Sequence, residues 1–478
     1  MLPDDILYST VAELAAQIRA RRLSPVELAE GYLRRLETVG RSLGAVAAVM
    51  RESALREARE AEAEIRRGRY RGPLHGIPYG AKDLLATREA PTTWGAAPYR
   101  DQRFDFDATV IKRLREAGAV LVAKLSMVEL AGGMGYNRAD ASLTGACLTP
   151  WNTAFWSGGS SSGPGAAVAA GCVAFAVGSE TSGSIITPAA FCGVSGLRPT
   201  YGAVSRHGAM ALSWTLDKLG PMCRSAEDCG LVLAGIAGRD PLDPSSRDSD
   251  QLPRYSQQGR LLNPRRGERR PRLAVMKDSY DKAQEEVRRN FLASLEVLRR
   301  SADVEMDVPL PGDFPYGPIV GTVVSAEGAS AFRDLIASGR VKELASPRGR
   351  VGGFSASLVT AVDYLHAMRL RRPARRAWAE FFKRFDGLVA PSRSTVAYPA
   401  DRNFEDAYPG IAASSPIGAS NVVGVPAVSV PNGFGQHGLP TGIQIIGPAW
   451  GERDLLALGA AYQSQTDWHR RRPPAPAA

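Results

Sequence analysis

Between Ser157 and Ser184 the chain reads SGGSSSGPGAAVAAGCVAFAVGSETSGS, two serine-bearing glycine clusters joined by a short apolar run. A serine hydroxyl attacks a carbonyl only when a neighbouring base takes its proton, and a neutral lysine can be that base. Burial neutralises lysine, because loss of water disfavours the ammonium form. Lys82, in PLHGIPYGAKDL (73–84), lies in an apolar turn punctuated by Gly76, Pro78 and Gly80, where burial is expected. Taken singly a lysine is a solvated surface group, so the inference rests on its company. Serine with lysine supplies acyl transfer without histidine.

Other chemistries find less support. There is no HExxH, and His75, His207, His366, His437 and His469 are scattered without ligand spacing, so no metal and no cofactor is expected. The stretch GGSSSGPG lacks the Gly-Lys-Ser/Thr ending of a phosphate-cradling loop. Gly159-Ser160-Ser161-Ser162-Gly163 formally satisfies G-x-S-x-G, which would make Ser161 the nucleophile of an α/β-hydrolase. That alternative needs a downstream histidine, and none stands in a persuasive context.

The elements that would hold these groups are partly legible. AAVAAGCVAFAVG is too short to span a bilayer and reads as a buried helix running into a strand. The first seventy residues read as helical, with Thr10/Glu13 and Ser24/Glu27 spaced as capping boxes and Pro25 at a first helical position. Arg51 to Arg67 reads as an exposed helix. Residues 73–84 read as a strand entering a loop, 107–118 as a helix and 119–124 as a strand, the alternation of a covered α/β sheet. Helices are expected at 226–237, 282–302 and 359–385, and strands at 271–278, 385–392 and 424–434. Residues 438–463 read as strand, turn and closing helix, and 240–272 as a surface excursion. Within 303–420 little beyond one helix can be read.

Bulk composition bounds the class. A chain of 478 residues, 44% hydrophobic and 23% charged, can bury a large core. The net charge of +10 gathers in PRRGERRPR, RLRRPARR and HRRR, but no aromatics interleave, so nucleic-acid binding is not expected. Five cysteines without a CxxC pair argue for a reducing compartment, and MLPDDILYST lacks the basic start and apolar core of a signal peptide. A cytoplasmic location without a membrane span is the expectation.

Four segments then carry a resemblance. PLHGIPYGAKDL, SGGSSSGPGAAVAAG, GSETSGSIITPAAFCGVSGLRPTYGAVSRHG and GLPTGIQIIGP resemble, in order, the signatures of the amidase signature family. The match is dense from about Gly72 to Ser225 and returns from about Pro426 to Gly447. It implies an α/β fold, a single large α/β/α sandwich with a central twisted mixed sheet covered by helices. Residues 1–70 would form a helical layer packed on the core, 71–465 the catalytic domain, and 466–478 a disordered Pro/Ala-rich tail. The resemblance also implies a Ser–cis-Ser–Lys triad of Ser184 (nucleophile), Ser160 (bridge) and Lys82 (base). Backbone N–H groups of Thr181, Ser182, Gly183 and Ser184 would form the oxyanion hole, and Ser161 would support Ser160.

Two positions depart from the family pattern: Ser182 replaces a glycine, and Ile186 replaces an arginine. The implied reaction is hydrolysis of an amide C–N bond in a small-molecule substrate. Met127, Gly132, Gly133, Tyr136 and Trp214 are candidate pocket residues that favour apolar or aryl amides, with carbamates and esters as extensions. The rival within the family is the A subunit of a glutamyl-tRNA amidotransferase, which needs partner subunits; otherwise a monomer or homodimer is expected.

Overall fold

The computed structural model describes residues 2–263 and 269–474. Thr10 caps the helix Val11–Arg19 by accepting from the Glu13 N–H, while the Glu13 carboxylate accepts from the Thr10 N–H. Ser24 caps Pro25–Arg35 through the Val26 and Glu27 N–H groups. Its own proton goes to Glu62 on the next helix, not back to Glu27, so only half of that predicted box forms. That next helix, Arg51–Arg66, is not simply exposed: Ala54, Ala58, Ala61 and Ile65 form a buried stripe at helical spacing. The first seventy residues also contain a strand, β1 (Val46–Val49).

Eleven strands form one mixed sheet among the described residues, in the order β1-β3-β2-β4-β6-β5-β10-β11-β9-β7-β8. They are β2 (Pro78–Lys82), β3 (Val120–Leu125), β4 (Phe175–Glu180), β5 (Ser195–Arg198), β6 (Lys218–Cys223), β7 (Arg272–Met276), β8 (Asp303–Val308), β9 (Gly387–Pro391), β10 (Ala427–Phe434) and β11 (Pro440–Ile446). β2 runs parallel to both β3 and β4, and β7 parallel to both β8 and β9; the pairings between those trios are antiparallel. Every residue of β2, β3 and β4 is buried, as expected for strands covered on both faces. The edge strand β8 instead alternates exposed and half-buried positions.

The helix Ser162–Ala169 is buried along its whole length. A Cβ at Gly163 would stand 2.5 Å from both Ala45 O and Ser126 N, so only glycine lets this helix approach the backbone just before β1 and just after β3. Residues 303–420, hard to read in sequence, supply β8, β9 and the helices Tyr316–Ala331, Gly349–Ala356 and Ala361–Arg384. The excursion at 240–272 is largely irregular but anchored, with Asp240 accepting from Ser205 Oγ and Thr109 Oγ1. Its residues 264–268 lie outside the described residues. The expected disordered tail is ordered in its first part: Trp468–Arg470 form a 3-10 turn and His469 is buried. Residues 475–478 lie outside the described residues.

Candidate active site

Ala81 on β2 lies opposite Val177 on β4, so Lys82 and Ser179 emerge together at the ends of adjacent parallel strands. Ser160 and Ser161 lead into the buried helix Ser162–Ala169, and Ser184 sits in the turn between β4 and the helix Ile186–Cys192. Three hydroxyls surround the fully buried Lys82: its Nζ lies 2.8 Å from Ser160 Oγ, 2.9 Å from Ser179 Oγ and 3.1 Å from Ser161 Oγ. Burial lowers the Lys82 pKa to about 7, and Asp217 and Glu180 only partly offset it.

The hydrogen-bond inventory assigns directions once Lys82 is neutral. Ser161 Oγ donates to Ser179 O at 3.1 Å and accepts from Ser179 N–H at 3.2 Å, so its proton is committed. It can therefore only accept from Lys82. If Ser179 Oγ accepts the second N–H, the amine lone pair faces Ser160 Oγ. The array can then draw a proton from Ser160.

The peptide bond between Gly159 and Ser160 is cis. The Ser161 N–H donates to Ser184 O at 3.2 Å, tying the two serine-bearing turns together. Ser184 lines a cleft of about 650 Å³. No backbone carbonyl among the described residues takes the N–H groups of Thr181, Ser182, Gly183 or Ser184. The next two, Ile185 and Ile186, donate to Glu180 Oε2 at 2.9 and 3.1 Å. These four N–H groups, Thr181 to Ser184, thus have no backbone acceptor among the described residues.

Two buried carboxylates clamp this turn. Glu180 meets Arg198 Nη1 at 3.0 Å and Asn421 Nδ2 at 2.9 Å. Burial would raise its pKa, but Arg198, Asn421, Lys218 and the Ile185 N–H hold it down to about 2. Asp217 accepts from Thr181 Oγ1 at 2.6 Å and from the Leu212 and Ser213 N–H groups at 2.9 Å. The left-handed position is Gly183, with φ 93°, while Ser182 is not among the positive-φ residues. Replacing glycine by Ser182 therefore imposes no left-handed strain. It adds an exposed side chain to the cleft wall. Ile186 is buried in the apolar cluster containing Leu216 and Ile417.

Gly132, Gly133 and Tyr136 line the cleft together with Val320, Val324 and the helix Gly349–Ala356. Arg348 stands at its rim, paired with Glu405 at 2.7 Å. The other two candidate pocket residues lie elsewhere. Met127 is fully buried in the core with Leu130 and Met134, because its side chain packs inward from the loop after β3. Trp214 belongs to a neighbouring cavity of about 190 Å³ with Arg206, Met210 and Leu219, behind Thr181 and Leu212. Ser179, Glu180, Asp217 and Asn421 were missed. Ser179 lies inside a recognised motif, and its partnership with Lys82 follows only from the β2–β4 register.

Comparison with known proteins gives one consistent picture. A family model described as Amidase matches residues 27–456. The chain is 37% identical to AmiD of Mycobacterium tuberculosis, whose own amidase assignment is provisional, over 98% of this chain and 97% of that protein. It is 35% identical to the A subunit of the glutamyl-tRNA(Gln) amidotransferase of Chloroflexus aggregans, over 98% of this chain and 99% of that one. Among solved structures, the native peptide amidase from Stenotrophomonas maltophilia superposes with a TM-score of 0.83 at 31% identity, covering 99% of each chain.

Proposed function

The chain belongs to the amidase family, and from that membership and the serine-ringed Lys82 we propose that it hydrolyses amides through an acyl-enzyme on Ser184. The observation that carries this reading is a fully buried lysine with a pKa near 7 held 2.8 Å from Ser160 Oγ, beside a turn whose N–H groups lack backbone acceptors. Neutral Lys82 accepts the Ser160 proton as Ser160 takes that of Ser184, and Ser184 Oγ adds to the amide carbonyl. The oxyanion is held by N–H groups of the Thr181–Ser184 turn; one such donor contributes ~3–4 kcal/mol. Collapse breaks the C–N bond as Ser160 gives its proton to the leaving amine and regains one from Lys82. Water, deprotonated through the same Ser160–Lys82 relay, then releases the acid from Ser184, which takes its proton back. Ser161 and Ser179 keep Lys82 oriented.

A cleft lined by Met134, Leu212, Val320, Val324, Val351 and Val359 favours apolar or aryl amides, with carbamates and esters accessible to the same nucleophile. The five cysteines are free and buried, which suits a cytoplasmic enzyme. No helix among the described residues is long and apolar enough to cross a membrane. The second reading, the A subunit of an amidotransferase, is favoured by the 35% identity to that protein of Chloroflexus aggregans. It predicts glutaminase activity only with partner subunits, whereas the first predicts hydrolysis of apolar anilides by the chain alone.

The deciding experiment is intact mass and peptide mapping after phenylmethanesulfonyl fluoride, on wild type and Ser184→Ala. One adduct on Ser184, absent from the variant along with all anilide hydrolysis, is expected. An adduct on Ser161 would instead return the α/β-hydrolase reading.

A further inference from the structure

Eight large apolar side chains are exposed among the described residues, and five of them, Val351, Phe354, Leu358, Val362 and Leu365, fall between positions 351 and 365. Scattered exposed apolar residues need no explanation, but a contiguous group marks a binding surface. This one is not remote from the chemistry. With 3.6 residues per turn, Arg348, Gly352, Ser355 and Val359 share one side of the helix Gly349–Ala356 and its C-terminal turn, and all four line the Ser184 cleft. Phe354 and Leu358 fall on the adjoining outward side. Val351 belongs to both, for it lines the cleft and is 64% exposed.

Val362 and Leu365, at the start of the helix Ala361–Arg384, are exposed as well. Apolar surface therefore passes from the wall beside Ser184, over Val351, onto the outside of the protein. From Val351 to Leu358 it extends about 10 Å along the helix. The cleft lining contains no carboxylate, and its cation, Arg348, is already paired with Glu405. Val351, Phe354 and Leu358 thus present hydrocarbon beside a wall that also carries Ser325 and Ser355.

We propose that this strip is an exosite for the substrate. An apolar arm, an alkyl chain or an extended aryl group, leaves the cleft over Val351 and lies across Phe354 and Leu358 while the scissile carbonyl stands at Ser184. The inference rests on the amide-hydrolase reading and adds a substrate class to it: amides with an apolar arm longer than the cleft.

The test compares acetyl, hexanoyl and dodecanoyl p-nitroanilides, each below its micellar concentration, on wild type and on Phe354→Ser/Leu358→Ser. Wild-type kcat/KM rises with chain length, by roughly 2- to 4-fold for each methylene brought into contact. The double variant loses at least ~10-fold on the dodecanoyl substrate and keeps its acetyl activity. Equal slopes in the two proteins, or no gain from hexanoyl to dodecanoyl, overturn the exosite. A variant that changes only the sedimentation coefficient does so too, and assigns the strip to contact between copies. If wild type cleaves none of the three, the amide reading has failed separately. Fluorescence binding of dansyl-labelled dodecanamide then decides: weaker binding to the double variant sustains the exosite, and equal binding removes it.

Discussion

At the scale of single residues, function turns on which protons Lys82 holds. With a pKa lowered by burial to about 7, Lys82 is charged in acid and neutral above neutrality. Its proposed role as base requires the neutral form. We therefore expect kcat/KM to climb as pH rises through about 7 and to level off above it, as measured in a pH–rate profile on a neutral anilide. Lys82→Arg keeps the charge at every accessible pH and should lose at least ~10³-fold in kcat/KM with no recovery at high pH. A profile flat from acid to neutral would remove Lys82 from the base position. Ser179 supplies a second test. Ser179→Ala leaves one buried Lys82 N–H without an acceptor, at a cost of ~1–3 kcal/mol, and frees the lone pair to turn from Ser160. The expected result is a ~10- to 100-fold drop in kcat with little change in KM, and an apparent pKa displaced from that of wild type.

At the scale of elements, the turn between β4 and the helix Ile186–Cys192 is held in shape by Glu180, which binds its backbone, and Asp217, which binds its threonine. The Glu180–Arg198 pair is fully buried, and removing one charge strands the other. Glu180→Gln should cost about 3–5 kcal/mol, read as a lower urea midpoint at pH 7. The pH dependence has a definite sign. Glu180 titrates near 2 in the folded protein, below the ordinary glutamate value of about 4.3. Its stabilisation is complete above that ordinary value and disappears as pH falls towards 2. The gap between wild type and Glu180→Gln should therefore narrow as the denaturation series moves from pH 5 towards pH 3. An unchanged gap would mean that the pair is not ionic.

At the scale of the whole molecule, the two ends of the chain meet on the same part of the core. Asp228 accepts from the Val11 and Ala12 N–H groups at the start of the second helix, binding it to the helix Ala226–Ile236. Glu13 pairs with Arg470 at 3.2 Å, Asp5 pairs with Arg472, and Trp468 sets its edge against Phe434. The exposed ion pairs contribute ~0–1 kcal/mol each, so the apolar contacts of Trp468 and the burial of His469 dominate. Ending the chain after Gln465 should remove about 2 kcal/mol, seen as a lower Tm. Activity well below that Tm should be unchanged, since none of the described residues among those removed lines the Ser184 cleft.

Local pieces and family membership could be read from the residues without a fold. Glycine-rich turns, the Thr10 cap and the buried β2, β3 and β4 runs were legible because they depend on neighbours within a few positions. The ordered motifs carried Lys82, Ser160 and Ser184 in the same way. Which hydroxyls ring Lys82 emerged only on folding, because Ser179 reaches it through strand register, 97 positions away in sequence. Folding also turns Met127 into the core and Trp214 into an adjoining cavity, while helices from 303–420, the stretch with the weakest local signal, line the cleft. The physical reason is one of range. Turn chemistry and periodicity act between near neighbours, whereas burial, pKa and the direction of a hydrogen bond are set by whatever the folded sheet brings alongside.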